Sequence, residues 1–393
     1  MTEWKECKIA DLGAVVGGAT PSTKDSANYE NGTIAWITPK DLSTFTGRYI
    51  KRGERNITEI GLKSCSTQLL PPNSVLFSSR APIGYIAIAA NAVCTNQGFK
   101  SVVPNDDTDP LFLYYLLKYN KDKIESLGSG TTFKEVSGNT MKGISVRVPT
   151  DISVQKSISA VLGMIDDKIE ENERINDNLQ QQLLLLYENI VKASSATNKT
   201  ALSALCAFQE GYVNPAQTHS EYFGGAVKWL RAVDINESFI VETSRTLTRA
   251  GFESAKKSAL LFKPNTIAIS KSGTIGRLGI IAEYMCGNRA VINIAPNDAG
   301  MLAFIYCFLK SKQKEFPDMA VGSVQKNLYV SLLEPLTVSI PDDKSLTMFN
   351  ATGTSILNAV HNNCIENTKL IRLRDALLPR LMSGELDVSA IEL

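Results

Sequence analysis

The chain has 393 residues, 44% hydrophobic and 21% charged, with 41 Lys and Arg against 40 Asp and Glu and a net charge of +1. That is the composition of a folded protein with material for two ordinary cores. No apolar run nears the ~20 residues of a membrane span and the first residues lack the apolar stretch of a secretory leader, so a cytoplasmic location is expected, while seven cysteines without a CxxC pair and only His219 and His361 leave little for a disulfide framework or a zinc site.

In chain order, residues 1–150 read as a mixed α/β lobe. Apolar runs at 74–77, 83–89 and 100–103 predict strands, residues 109–127 a helix with Leu113, Leu116, Leu117 and Ile124 on one face, and 144–148 a strand closed by Pro149. Residues 151–193 predict a long helix, and 193–200 (ASSATNKT) a small polar linker. Residues 194–342 repeat the lobe, with strands at 266–270, 275–282 and 291–295, a helix at 300–312 and a strand at 336–340 before Pro341. A second long helix fills 343–383, and 384–393 form a tail. The repeat is visible residue by residue at an offset of about 192: Asn73 falls on Asn265, Ser78 on Ser270, Ile83-Gly84 on Ile275-Gly276, Cys94 on Cys286 and Gly130 on Gly322. A unit this long is a whole lobe used twice, which suggests two similar, non-identical targets. Charge follows the same division: 1–150 and 194–342 each carry +3, 151–193 carry −4 and 343–393 carry −1.

The long helices have a regular apolar spacing. Ile158, Leu162, Ile165, Ile169, Asn172, Asn176, Leu179, Leu183, Leu186 and Ile190 advance by alternating steps of four and three. Phe349, Gly353, Ile356, Val360, Asn363, Asn367, Leu370, Arg374, Leu377 and Leu381 do the same. A 3.5-residue period sustained this far predicts a coiled-coil seam, weaker in the second helix at Gly353 and Arg374. Antiparallel pairing about a pseudo-two-fold axis sets Asn172 opposite Asn367 and Asn176 opposite Asn363. A shifted register would leave these amides facing Leu or Ile, so the four asparagines are expected to fix helix register and direction.

Catalytic signatures are absent from the sequence. There is no GxxxxGK[ST] and no GxGxxG. The stretch Lys271-Ser272-Gly273-Thr274-Ile275-Gly276 has the wrong spacing for a phosphate loop, and the Asn214-Pro215 pair lacks the aromatic continuation of adenine methyltransferases. The chain is therefore expected to read or scaffold rather than catalyse. Polar turns recur where a nucleic-acid reader would place its contacts, each supplying hydroxyls, a cation and tight backbone. In the first lobe these give Ser79 and Arg80, then Thr131, Thr132 and Lys134. In the second they give Lys271, Ser272, Thr274 and Arg277, then Gln325 and Lys326. Trp36 and Trp229 read as buried anchors, with Lys40 and Arg231 close by as candidate DNA ligands.

These pieces resemble the DNA-specificity (S) subunit of type I restriction-modification systems. The run from Val154-Gln155-Lys156 to Ile165-Asp166-Asp167-Lys168-Ile169-Glu170-Glu171-Asn172 is similar to the family's first conserved region. Leu373-Arg374-Asp375-Ala376-Leu377-Leu378-Pro379-Arg380-Leu381-Met382-Ser383-Gly384-Glu385-Leu386 is similar to the end of its second. Trp36 with Asp41, the Ile83-Gly84 turn and the Gly130 turn are looser matches, and Lys-Ser-Gly-Thr replaces Ser-Arg-Ala-Pro in the second lobe. The resemblance implies two similar α/β target recognition domains separated by two long helices that form an antiparallel coiled coil. Each lobe would read one half of a bipartite target in double-stranded DNA, and the helix pair would fix the gap. At ~1.5 Å per residue the seam from 158 to 190 is roughly 48 Å long, enough to bridge about one DNA turn. Two methylation (M) subunits would dock on helices and lobes and restriction (R) subunits would join them. S-adenosylmethionine, ATP and Mg would then sit in those partners and no cofactor on this chain. Residues flanking the second helix would complete the first lobe. The alternative reading is an adaptor whose lobes bind proteins on a coiled-coil spacer.

Overall fold

The same sheet topology is built twice. The computed structural model describes residues 3–80, 82–130, 134–193, 198–323 and 325–388. They form two compact units: residues 1–170 with 370–393, and residues 171–369. Both boundaries fall inside the long helices, because each helix lends one half to one unit and the other half to the other.

In the first unit the strands are β1 (Trp4–Lys8), β2 (Gly13–Gly17), β3 (Ile34–Ile37), β4 (Tyr49–Ile50), β5 (Arg55–Ile57), β6 (Val75–Phe77), β7 (Ile86–Ala89), β8 (Cys94–Thr95), β9 (Lys100–Pro104) and β10 (Ser145–Pro149). A five-stranded sheet has the order β2-β9-β6-β7-β4, a three-stranded sheet the order β5-β3-β8, and β1 pairs with β10. Among the described residues of this unit, β4 with β7 and β3 with β8 are the pairs that run parallel. Helix Pro110–Tyr119 packs on the larger sheet. It is capped by Asp109, whose carboxylate accepts from the Phe112 N–H, and buries every residue from Phe112 to Leu117. The expected helix over 109–127 is interrupted at Asn120, which leaves helical geometry and donates its side-chain amide to the Leu116 carbonyl at 2.8 Å. A separate helix, Lys121–Ser126, follows.

The core of this unit draws on both long helices. Ile158, Val161 and Leu162 from helix Ile152–Ala193 join Leu378, Leu381, Met382 and Val388 from the chain's end around the lobe's own Phe77, Phe112 and Tyr115. Gly384 ends helix Asp343–Ser383 at φ +77, and a Cβ there would lie 2.7 Å from the Trp4 indole, so only glycine lets the chain turn against the lobe. Arg48, just before β4, is 5% exposed. Its backbone and Nε donate to Glu170 at 3.1 and 2.9 Å, and its guanidinium also meets Asp167.

The second unit repeats the scheme with β11 (Asn198–Ala201), β12 (Cys206–Glu210), β13 (Phe223–Leu230), β14 (Phe239–Ile240), β15 (Thr246–Leu247), β16 (Ile267–Ser270), β17 (Leu278–Ile281), β18 (Cys286–Gly287), β19 (Val291–Pro296) and β20 (Thr337–Ile340). The sheet orders are β12-β19-β16-β17-β14, β15-β13-β18 and β11-β20. Helix Leu302–Lys312 is buried from Ala303 to Leu309 against Leu183, Tyr187, Phe349, Leu357 and Val360 of the long helices. Of the polar linker expected at 193–200, residues 194–197 lie outside the described residues, Ala193 ends the long helix and 198–200 belong to β11.

Within this unit the helices run antiparallel. The Asn172 amide donates to the Asn367 carbonyl at 2.8 Å, and Asn363 donates to Asn176 at 2.8 Å. Asn172 is 1% exposed. Gly353, a weak seam position by sequence, is a place of close approach. A Cβ there would meet the Ala303 Cβ at 2.7 Å and Leu183 at 3.3 Å. Arg374, the other weak position, lies in the first unit, where its Nη1 donates to the buried Asp166 at 2.8 Å. All seven cysteines are free. Burial pushes the Cys94 thiol up to about 11 and the Cys286 thiol up to about 12, so both are packing residues. Among the described residues no helix is long and apolar enough to cross a membrane.

Candidate nucleic-acid interface

Each lobe holds one turn rigidly by a single serine. In the first, the Ser78 hydroxyl donates to the Pro82 carbonyl at 2.9 Å and accepts from the Tyr85 N–H at 2.8 Å. The Ser78 backbone closes the loop with Tyr85 and Gly84, the latter at φ +94. The second lobe repeats this: the Ser270 hydroxyl donates to Thr274 and accepts from the Arg277 N–H, and Gly276 sits at φ +85. Strands expected to start at 83 and 275 therefore begin at Ile86 and Leu278, because the intervening residues are spent on the turn.

The next residue of each turn is locked to a neighbouring segment. The Ser79 N–H donates to the Gly98 carbonyl at 2.7 Å, and the Val136 N–H donates back to Ser79 at 2.9 Å. The Lys271 N–H donates to Ala290 at 2.7 Å, and Leu328 donates to Lys271 at 2.9 Å. Ser79 was expected among the DNA ligands. It is fully buried, with its hydroxyl also on Gly98, so it positions the turn and has no face left for DNA. Arg80 is half-exposed, with Nε 2.9 Å from Glu135. Lys271 is 14% exposed in its side chain, ion-paired to Glu210 at 2.8 Å, and lies 4.8 Å from the Tyr329 ring. Ser272 and Arg277 are half-buried and Thr274 is exposed.

A second turn stands beside the first in each lobe. Gly130 and Gly322 hold positive φ at its start, and Lys134, Gln325 and Lys326 are exposed. Thr131 and Thr132 lie outside the described residues.

The tryptophans are anchors. The Trp36 indole N–H donates to Ala19 at 3.1 Å and that of Trp229 to Val213 at 2.7 Å, each on a mostly buried ring. Just after them, Asp41 accepts from the backbone N–H groups of Thr38 and Glu54, both at 2.7 Å, and Asp234 from those of Arg231 and Ser244, both at 2.9 Å. The same aspartate thus caps a short helix and ties down a loop in both lobes. Lys40 is exposed and pairs with Glu54 at 2.8 Å, a bond that raises the ammonium pKa above its ordinary value. Such an exposed pair contributes little to stability. Arg231 lies over the Trp229 ring at 5.7 Å. Arg245, which the sequence did not single out, covers Phe223 at 4.1 Å and Trp229 at 5.7 Å. Its only sequence signal was a lone cation in a β-rich stretch. Among the described residues no group of three or more His, Cys, Asp or Glu is placed to hold a metal ion.

Two lobes of one topology, each presenting a serine-pinned turn and each completed by a seamed helix pair, define a two-domain recognition scaffold. The Type I restriction modification DNA specificity domain matches residues 1–181 and 198–374, and the chain belongs to that family. It is 32% identical over 414 residues to the Type I restriction enzyme MjaIX specificity subunit of Methanocaldococcus jannaschii, covering 99% of this chain and 95% of that one. It is 23% identical to the Type I restriction enzyme HindI specificity subunit of Haemophilus influenzae, covering 98% of this chain and all of that one. The crystal structure of the type I restriction-modification system S subunit from M. genitalium shares the fold. Its TM-score is 0.56 at 16% identity, with 97% of this chain and 96% of that chain covered.

Proposed function

We propose that this chain is the sequence-reading subunit of a type I restriction-modification complex, with each lobe recognising one half of a bipartite, asymmetric site in double-stranded DNA. One observation carries the reading: the same serine-pinned turn occurs in both lobes, with different side chains at its presented positions. Ser79-Arg80 stands where Lys271-Ser272 does, so one scaffold serves two different half-sites. The lobes contribute +3 each, modest for a stand-alone DNA binder, and partner subunits supply the remaining electrostatic affinity.

In this reading the antiparallel helices set the unread gap, with Asn172, Asn176, Asn363 and Asn367 fixing their register. Two methylation subunits dock on helices and lobes, and restriction subunits join them. Methyl donor, ATP and Mg belong to those partners, and this chain performs no chemistry of its own. Lys40, Arg80, Lys134, Arg231, Lys271, Ser272, Thr274, Arg277, Gln325 and Lys326 are the remaining candidate ligands, Lys271 being the least exposed side chain of the ion-paired ones.

The test is to reconstitute the complex with its methylation subunits and map the adenines it methylates. The expected result is two short half-sites with a fixed gap, bound with an affinity that falls steeply as salt rises. A heptad inserted into both long helices where they pass between the two units should change the gap and leave both half-sites alone. Salt-independent assembly with proteins and no sequence-selective DNA binding would instead favour the adaptor reading.

A further inference from the structure

Arg80 and Glu135 form an ion pair at the edge of the first lobe's turn, and its geometry bears on which base is read there. Glu135 sits on the segment that returns from the second turn, and an isolated backbone bridge pairs it with Arg80. Its Oε2 lies 2.9 Å from Arg80 Nε, and its Oε1 lies 3.5 Å from Lys100 Nζ. One carboxylate therefore serves two cations, and the cluster keeps a net positive charge. Lys100 is 16% exposed, whereas Arg80 is 47% exposed. The second lobe differs: Ser272 and Asn327 stand at the positions of Arg80 and Glu135, and the turn's cation is Lys271, one residue earlier. There Glu210 neutralises one largely buried lysine, which has no planar fork.

We infer that Arg80 is the guanine-reading residue of the first lobe and Glu135 its positioning residue, an inference that rests on the DNA-reading function proposed above. A guanidinium whose Nε is engaged by a carboxylate loses part of its rotational freedom and keeps its two terminal amino groups for a ligand. That pair of parallel donors matches the O6 and N7 acceptors of guanine in the major groove. The carboxylate removes the alternatives. It offsets the charge that would favour an indiscriminate phosphate contact, and it lowers the entropy lost when the fork docks. Ser79 keeps the Arg80 backbone in place through its bonds to Gly98 and Val136.

The experiment uses the complex reconstituted with its methylation subunits and the DNA site that complex methylates. Each guanine of the site is replaced in turn by 7-deazaguanine, which deletes the N7 acceptor. With the natural chain, one guanine in one half-site should weaken binding when replaced. Arg80→Lys keeps the charge but not the fork. It should cut the preference for guanine at that position roughly 10- to 100-fold, abolish the 7-deaza penalty, and leave the salt dependence and the other half-site unchanged. Glu135→Ala should weaken the same preference, and Glu135→Gln, which keeps an oxygen toward Nε, should restore part of it. Intact discrimination at the other half-site shows that a variant is folded. If no guanine is sensitive in the natural complex, the inference fails whatever the variants do. It fails equally if Arg80→Lys leaves the guanine preference intact or weakens all sequences alike. In those cases DNA reading by the lobe still stands, whereas a natural complex without sequence-selective binding removes the reading itself.

Discussion

Arg374 Nη1 and Asp166 Oδ1 meet at 2.8 Å across the helix seam of the first unit, and the Tyr115 hydroxyl donates to the other Asp166 oxygen at 2.6 Å. Arg374 occupies the seam position that Leu183 holds in the other helix, so the two halves of the seam are built on different chemistry. Leu183 is 1% exposed and packs beside Gly353, while Arg374 and Asp166 are 15% and 7% exposed in their side chains.

Removing one member of that pair is therefore costly. Arg374→Leu leaves a buried carboxylate hydrogen-bonded by the Tyr115 phenol but without its ion-pair partner and should destabilise the protein by about 3–5 kcal/mol. Adding Asp166→Leu and Tyr115→Phe should recover most of the loss, because no charge or hydroxyl is then stranded. Denaturant unfolding of the natural protein, Arg374→Leu, Asp166→Leu with Tyr115→Phe, and the triple variant, treated as a cycle, gives the coupling. A single-variant cost below 1 kcal/mol would show that the pair is solvated.

The paired asparagines lead to a different expectation, since they trade stability for uniqueness. Asn172→Leu alone removes the donor to the Asn367 carbonyl oxygen and to Glu366 and should cost about 1–3 kcal/mol. Asn172→Leu with Asn367→Leu should leave unfolding resistance equal or greater while admitting other registers and partners. Analytical ultracentrifugation should then show additional oligomers. A single unchanged species would mean that the apolar residues alone specify the pairing.

The asparagine register was legible because it needs only a heptad and a direction. Chain order and the 192-residue offset likewise carried the repeat, the strands at 75–77 and 267–270, and the buried tryptophans. Hydroxyl roles were not legible. Ser78 and Ser79 are adjacent and chemically alike, yet one pins a turn through its side chain and the other is locked through its backbone, a distinction set by the distant Gly98 and Val136. The carboxylates behind the presented cations escaped notice for a similar reason. Glu135 is 55 residues from Arg80 and Glu210 is 61 from Lys271, and only the folded sheets bring them together. Two-residue strands such as β4 and β14 are too short to leave any periodicity.

Gly384 offers a check on how the chain's end completes the first unit. Gly384→Ala places a Cβ in the Trp4 ring and forces an L-residue into left-handed geometry, so a loss of about 1–3 kcal/mol is expected. Hydrogen exchange should show faster opening of β1 and β10 than in the natural protein, with β16 and β19 unaffected. Equal protection in both units would mean that the end of the second helix is not part of the lobe's stability.

The Lys271–Glu210 pair gives the pH dependence. Burial raises the Glu210 pKa, but the bonds from Lys271 and Tyr212 outweigh it, and the net shift is downward from the ordinary 4.5. A carboxylate whose pKa is lowered by folding stabilises the folded state above its unfolded value, and that contribution is lost as pH falls through the folded value. At neutral pH, Glu210→Gln should thus cost about 1–3 kcal/mol, a range set by charge-assisted hydrogen bonds on a partly buried group. The gap between the natural and variant proteins should narrow below pH 4.5, because protonated Glu210 resembles glutamine in charge. Thermal unfolding of both proteins between pH 7 and about pH 3 measures it. A gap that stays constant with pH would show that Glu210 acts by shape rather than charge, and that Lys271 is free to pair with DNA phosphate.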